Sequence, residues 1–414
     1  MSRLLASAAA LAAGAALAAT VLTPAAATAA PPVKAPKVVS DVELPAPALA
    51  DFQPVADDRG VKLGGLGSGL FPANRKGDFW MVTDRGPNGE LGDKRTFPVP
   101  DFAPAIVRVE VRKGKAEITR ALTLKKSDGT PITGLSNQEG QEKPYSWDGS
   151  EVLPFDPNGL DAEDIVRDRD GTFWLVDEYA PSLVKVGGDG RILARYVPQG
   201  LGLKGAGYPV HETLPAILAK RQDNRGFEGL AIRGGKLFLA VQSPLANPDK
   251  KAGKASRIGR LLVVDLKTGK PTAEYAYRFE EGKAFGAEQK DLKISGLVAL
   301  SDTRLLVEER TDEVARLYTV DLRKATDLLG GQYDKTLESG ASGAVPVSKE
   351  LAVDLEAIPG VPDKIEGIAL LDPRTLVIAN DNDFGVGEFG EDGRLKDSGV
   401  KGRILTIRLP KPLH

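Results

Sequence analysis

Glu163, Glu228 and Glu366 each stand at the head of a short apolar run, and fourteen residues after each comes a second polar residue, Asp177, Gln242 or Asn380. Ser295 and Glu309 repeat the interval. Carboxylates at a fixed interval, with Arg85, Arg225 and Arg310 close by in the chain, are the groups that hold divalent cations, take protons and steady anions. Between opener and closer lie two apolar runs divided by turn residues: Asp170-Gly171, Gly234-Gly235, Ser301-Asp302 and Asp372-Pro373. Two such runs around a short turn read as an antiparallel hairpin. A hairpin returns the end of its second strand to the start of its first. The spacing therefore gathers openers and closers on one face of the molecule.

The elements that must position these groups follow from the same repeat. A looser copy precedes the others, Gly67-Ser68-Gly69-Leu70 running to Val82-Thr83-Asp84. Each hairpin is followed by a third alternating run: Ile106–Val111, Leu183–Val186, Arg260–Asp265, Arg316–Asp321 and Arg403–Arg408. A fourth follows in most units, over Ala116–Thr119, Ile192–Tyr196, Ala273–Tyr277 and Glu350–Asp354. Repetition at tens of residues signals a repeat architecture. Four antiparallel strands per unit, repeated radially, give an all-β fold: a single β-propeller of five, alternatively six, four-stranded blades. The last unit runs out of chain after three strands. An N-terminal strand near Val38–Leu44 or Phe52–Ala56 would complete it and close the edge. The Gly after Glu228, Ser295 and Glu366 suits an inner strand crowded against its neighbours.

Composition bounds the class. The chain has 414 residues, 27% of them charged, no long block of one sign and a formal net charge of −2. A nucleic-acid binder would show a clustered basic excess. With no Cys there are no disulfides and no thiolate chemistry, and two His exclude a His-rich metal site. Arg3 precedes an Ala-rich apolar run to Val21, and Ala27-Thr28-Ala29 supplies a small-x-small cleavage site, so residues 1–29 read as a secretory signal peptide. Residues 30–49 read as a Pro/Ala-rich linker and 50–414 as the propeller. No later segment approaches membrane length. The expectation is a secreted monomer, extracellular or periplasmic, with no nucleic-acid partner and no stable membrane span.

Thr83-Asp84-Arg85-Gly86, Phe155-Asp156-Pro157 with Gly159-Leu160-Asp161-Ala162-Glu163-Asp164, Asn224-Arg225-Gly226-Phe227-Glu228-Gly229 and Glu366-Gly367-Ile368 to Asn380-Asp381-Asn382-Asp383 carry a resemblance. In combination they resemble the bacterial phytase-like family, named for an esterase-like activity of phytase, over about Leu63 to Leu409. The resemblance implies a secreted propeller whose row of acidic residues carries phosphoester chemistry. Few Lys or Arg fall inside the motifs themselves.

The face so assembled collects Asp84, Glu163, Asp164, Asp177, Glu178, Glu228, Glu309, Glu366, Asp381 and Asp383. So many carboxylates cannot all ionise unpaired: cations sit between them, arginines pair with them, or some stay protonated. Ca²⁺, which takes carboxylate and carbonyl oxygens in flexible geometry, is the expected cation. On this reading Glu228, Glu163, Glu366 and Glu309 are the catalytic candidates, with Glu228 as general base. Arg85, Arg225 and Arg310 orient a small anionic substrate, and Asp84, Asp164, Asp177 and Asp381 are the metal ligands. The function is hydrolysis of a phosphoester, an inositol phosphate or a phosphodiester, by metal-assisted attack of water. Two alternatives use the same face: a non-catalytic propeller that binds a ligand or partner, and a Ca²⁺-dependent lactonase or carboxylic ester hydrolase. Each Glu also has a purely structural reading, as a buried acceptor for neighbouring backbone amides.

Overall fold

Runs of four to nine residues, divided by Gly- and Asp-bearing turns, pair with their sequence neighbours through most of the described chain. The computed structural model describes residues 35–414, so the signal peptide read over 1–29 lies outside the described residues. The described chain is all-β with a few short helices. The Gly234-Gly235 turn shows why the hairpins are tight. Both glycines have positive φ, 58° and 76°, as a two-residue hairpin turn requires.

Five antiparallel sheets carry the structure. The first comprises Gly69–Pro72, Asp78–Val82, Ala105–Arg112 and Lys115–Thr123. The second comprises Ala162–Arg167, Phe173–Asp177, Ser182–Val186 and Ile192–Pro198, with Val210–Leu214 added in parallel at its edge. The third runs through Phe227–Arg233, Lys236–Val241, Ile258–Asp265 and Pro271–Arg278. The fourth runs through Lys293–Ala299, Arg304–Arg310, Ala315–Asp321 and Ser348–Asp354. The fifth takes Ile365–Asp372, Thr375–Asn380 and Arg403–Arg408 from the C-terminal end, and Lys37–Glu43 from the other. Lys37–Glu43 pairs antiparallel with Arg403–Arg408. Part of the segment 30–49 read as linker is therefore sheet. Its alternation of Val38, Ser40 and Val42 outweighs the flanking prolines, and Val42 is buried.

The first strands of the sheets succeed one another in a ring, each abutting the next. Glycine permits the approach. A Cβ added at Gly229 would lie 2.3 Å from the Ser295 carbonyl oxygen, and one at Gly296 2.8 Å from that of Glu366. At Gly367 it would lie 2.8 Å from the Gly67 carbonyl oxygen, which brings the fifth sheet back to the first. In the second sheet Asp164 takes this position, and its carboxylate accepts the Leu230 amide of the third sheet at 2.7 Å. The core lies between neighbouring sheets. Trp80 meets Phe173 edge-on across the first and second, with centroids 4.9 Å apart. Leu306, Ile368, Ile378 and Leu405 fill the space between the fourth and fifth.

The insertions in and after the first sheet build a small accessory sheet of Gly89–Leu91, Lys94–Thr96 and Pro144–Tyr145. Trp147, just beyond it, packs on Phe389 and under the Arg59 guanidinium. The long segment 127–159 is thus tied down on the molecule.

Candidate functional site

Four of the five inner strands break their pairing at the opener. Asp164 pairs with Val176 and Ala162 with Asp177, leaving Glu163 unopposed. Glu228 falls in the same way between Phe227 and Gly229, and Glu366 between Ile365 and Gly367. Ser295 and Gly296 lie in the corresponding irregularity of the fourth sheet. A β-bulge re-aims the side chain of its extra residue. Here it turns Glu163, Glu228 and Glu366 into one cavity of about 330 Å³ at the centre of the ring.

All five sheets line that cavity. Asp84, Glu163, Glu178, Glu228, Asp312, Glu366, Asp381 and Asp383 contribute eight carboxylates, and Arg85, Arg95, Lys293, Arg310 and Lys364 contribute five cations. Glu228 is held by two neutral donors: the Gln242 amide donates to Oε2 and the Ser295 hydroxyl to Oε1 at 3.1 Å. Arg310, fully buried, donates to Glu366, lies 3.5 Å from Glu228 and donates through Nε to Ser295 at 2.8 Å. Lys364 bridges Asp381, at 2.6 Å, and Asp383. Lys293 pairs with Asp312 at 2.6 Å. Arg85 lies 2.9 Å from Asp161 and 3.7 Å from Glu178, and donates to Asn224.

Asp161, Glu163 and Glu178 form a tighter acidic group. All three are buried, with one carboxylate oxygen of each within 4.8 Å of the others. Asp161 Oδ2 and Glu178 Oε1 accept no hydrogen bond, since Arg85 approaches Asp161 by charge without hydrogen-bond alignment. Burial pushes the Glu163 carboxyl well above its usual range, and the charges of Asp161, Glu228 and Glu178 push it further. Burial and Glu228 do the same to Glu178. Burial and Asp381 do it to Asp84, against the opposing pull of the Gly86 amide.

Raised carboxyls stabilise the fold where they are protonated, below the ordinary carboxylate range near 4. That stability is lost as pH rises through the raised folded values. Turn aspartates work the other way: Asp148, held at about 2 by the Ser146 hydroxyl and the Ser150 amide and hydroxyl, favours the fold only above that range. In chelator, therefore, the urea midpoint is expected to peak near pH 5 and fall towards pH 8. A midpoint rising steadily across that interval would contradict the upward shift of the Asp84, Glu163 and Glu178 carboxyls.

The structure brings together seven of the eleven residues that the sequence singles out: Glu163, Glu228, Glu366, Arg85, Arg310, Asp84 and Asp381. The other four are engaged elsewhere. Asp177 is buried against Arg195 at 2.7 Å and accepts from Ser182 and the Asp161 amide. Asp164 accepts the Leu230 and Ile165 amides and staples the second sheet to the third. Both are engaged by protein donors, and neither lines the cavity. Glu309 takes the Tyr277 hydroxyl at 2.7 Å, the Glu280 amide and Lys349 between the third and fourth sheets, away from the cavity. Arg225 stands outside the lining, 3.4 Å from the Ser243 hydroxyl.

Sequence reasoning missed Asp161, Lys293 and Lys364. Each lies two residues before an opener, so strand alternation alone would place them on its side. Arg95 comes from the accessory sheet, which the repeat gives no means of finding.

The sequence matches the family model described as "Esterase-like activity of phytase" over residues 61–384. A protein of Arthroderma benhamiae described as an "Uncharacterized secreted protein" is 31% identical over 273 residues, 53% of this chain and 52% of that protein. The match thus spans about half the length of that curated relative. Among solved structures, a luciferin-regenerating enzyme is 14% identical, covers 84% of this chain and 92% of its own, and has a TM-score of 0.35. A PQQ-bound aldose sugar dehydrogenase from Streptomyces coelicolor is 14% identical, covers 92% and 99%, and has a TM-score of 0.34. Both scores are too low to carry an argument.

Proposed function

The chain belongs to the phytase-like family, and on that premise we propose that it is a secreted hydrolase. It cleaves a phosphoester of a small anionic substrate in the central cavity, and the five sheets act as the blades of a propeller. The observation that carries this reading is the convergence of five cations and eight carboxylates from all five sheets on one cavity of about 330 Å³. Motif reading alone supplies too few cations for a phosphate. Lys293, Lys364 and Arg95 supply the remainder. Export is supported by the apolar N-terminal run after Arg3 and by the relative described as secreted. Among the described residues no helix is long and apolar enough to cross a membrane.

The family reading implies a divalent cation, and the donor set fits one. Asp161, Glu163 and Glu178 offer hard oxygen ligands, and Asp161 and Glu178 each carry a buried carboxylate oxygen without a hydrogen bond. These three would hold Ca²⁺, with Arg85 as the charge already competing for the place. When bound, the cation would neutralise the acidic wall and polarise a phosphoryl oxygen. The protein's own groups do the rest. Glu228, fixed by Gln242 and Ser295, takes the proton of the attacking water. Arg310 and Lys364 steady the charge that develops on the phosphoryl oxygens. Asp84, whose carboxyl burial holds well above its usual range, gives its proton to the leaving oxygen as the P–O bond breaks.

Hydrolysis of bis-4-nitrophenyl phosphate, 4-nitrophenyl phosphate, phytate and 4-nitrophenyl acetate, each with Ca²⁺ and with chelator, tests the reading. Turnover of at least one phosphoester, lost in chelator, is expected. Turnover of the carboxylic ester alone would install the ester-hydrolase alternative. No turnover of any of them would leave a ligand-binding propeller.

A further inference from the structure

Of the five cations at the cavity, four face a carboxylate that lines or underlies the same wall: Arg85 with Asp161, Arg310 with Glu366, Lys364 with Asp381 and Lys293 with Asp312. Arg95 differs. Its carboxylate partner, Glu90 at 2.7 Å, is 68% exposed and lies outside the cavity lining. An ion pair with a solvent-exposed carboxylate is weak and readily exchanged. Asn88 accepts from Arg95 Nη1 at 3.1 Å and itself donates to the Gly86 carbonyl, so the guanidinium is aimed by the accessory sheet. Among the described residues, Arg95 is the one lining cation whose charge no wall carboxylate balances.

Resting on the phosphoester reading, we infer that Arg95 determines substrate class, and that the cavity takes a phosphodiester bearing one negative charge rather than a polyphosphorylated ring. A phosphodiester keeps a single charge at every physiological pH. A phosphomonoester gains a second with a pKa near 6, and a polyphosphate brings many. A wall with eight carboxylates, and one cation free of them, repels dense negative charge and accommodates a single one. Guanidinium suits the contact, since its planar fork meets two phosphoryl oxygens at once.

Calorimetric binding of bis-4-nitrophenyl phosphate, 4-nitrophenyl phosphate and phytate in chelator tests this, using wild type, Arg95→Gln and Arg95→Lys. Wild type is expected to bind the diester at least about tenfold more tightly than phytate. Arg95→Gln should weaken the diester about tenfold or more, and Arg95→Lys should recover part of the loss. All three proteins should melt together, because Arg95 sits on a peripheral sheet. Phytate binding as tightly as the diester, or diester binding indifferent to Arg95→Gln, overturns the inference, as does failure of wild type to bind the diester. Tight, Arg95-dependent binding of a diester that is never cleaved would instead overturn the hydrolase reading and leave this inference standing.

Discussion

Replacing Glu228 with Gln is expected to lower kcat for the cleaved phosphoester by about 10²–10⁴-fold, the usual worth of a positioned general base. KM and melting temperature should change little. Gln has the shape of Glu, and its carbonyl can still accept from the Gln242 amide or the Ser295 hydroxyl that now hold the carboxylate. Arg310 loses the contact at 3.5 Å but keeps Glu366 and Ser295. What Gln cannot do is take a proton from water. Initial rates and thermal melts on the same preparations decide the matter. An unaltered kcat with a lowered melting temperature would make Glu228 a strut of the ring and move the base elsewhere.

Arg310→Leu is expected to cost about 3–5 kcal/mol of stability, the range for breaking a buried pair from one side. Arg310 is fully buried, and its guanidinium serves the fourth and fifth sheets together with Glu228 of the third. Leucine fills much of the space and leaves two buried carboxylates without their cation. Urea unfolding of Arg310→Leu and of the double variant Arg310→Leu/Glu366→Leu separates charge from packing. The double variant should recover part of the loss, since it removes one stranded carboxylate. A loss within about 1 kcal/mol for the single variant would mean that Glu228 and Glu366 find other partners, or protonate at little cost.

The sheets were legible because period-two alternation and turn residues mark them locally. The third runs, such as Arg316–Asp321, and the fourth, such as Ala273–Tyr277, lie within observed strands. Even the N-terminal strand over Lys37–Glu43 could be anticipated, from the strand that the last unit lacks. The site was legible only up to the bulges. Strict alternation puts Asp177 and Asn380 beside their openers. Instead Asp177 meets Arg195 and Asn380 meets the Arg403 amide and Lys401 carbonyl, while the next residues, Glu178 and Asp381, reach the cavity. An extra residue in a strand leaves no mark in composition, and its effect is to reverse which side chains face inward. Glu309 illustrates a second limit. Its partners Tyr277 and Lys349 are 32 and 40 residues away, and nothing in the local pattern announces them.

Diffraction from crystals soaked in Ca²⁺ and inorganic phosphate tests the central claim most directly. A cation is expected among Asp161, Glu163 and Glu178, with a phosphate beside it in the same cavity, against Arg95. Phosphate and cation both absent from the cavity, or bound only at the outer edges of the sheets, would contradict it.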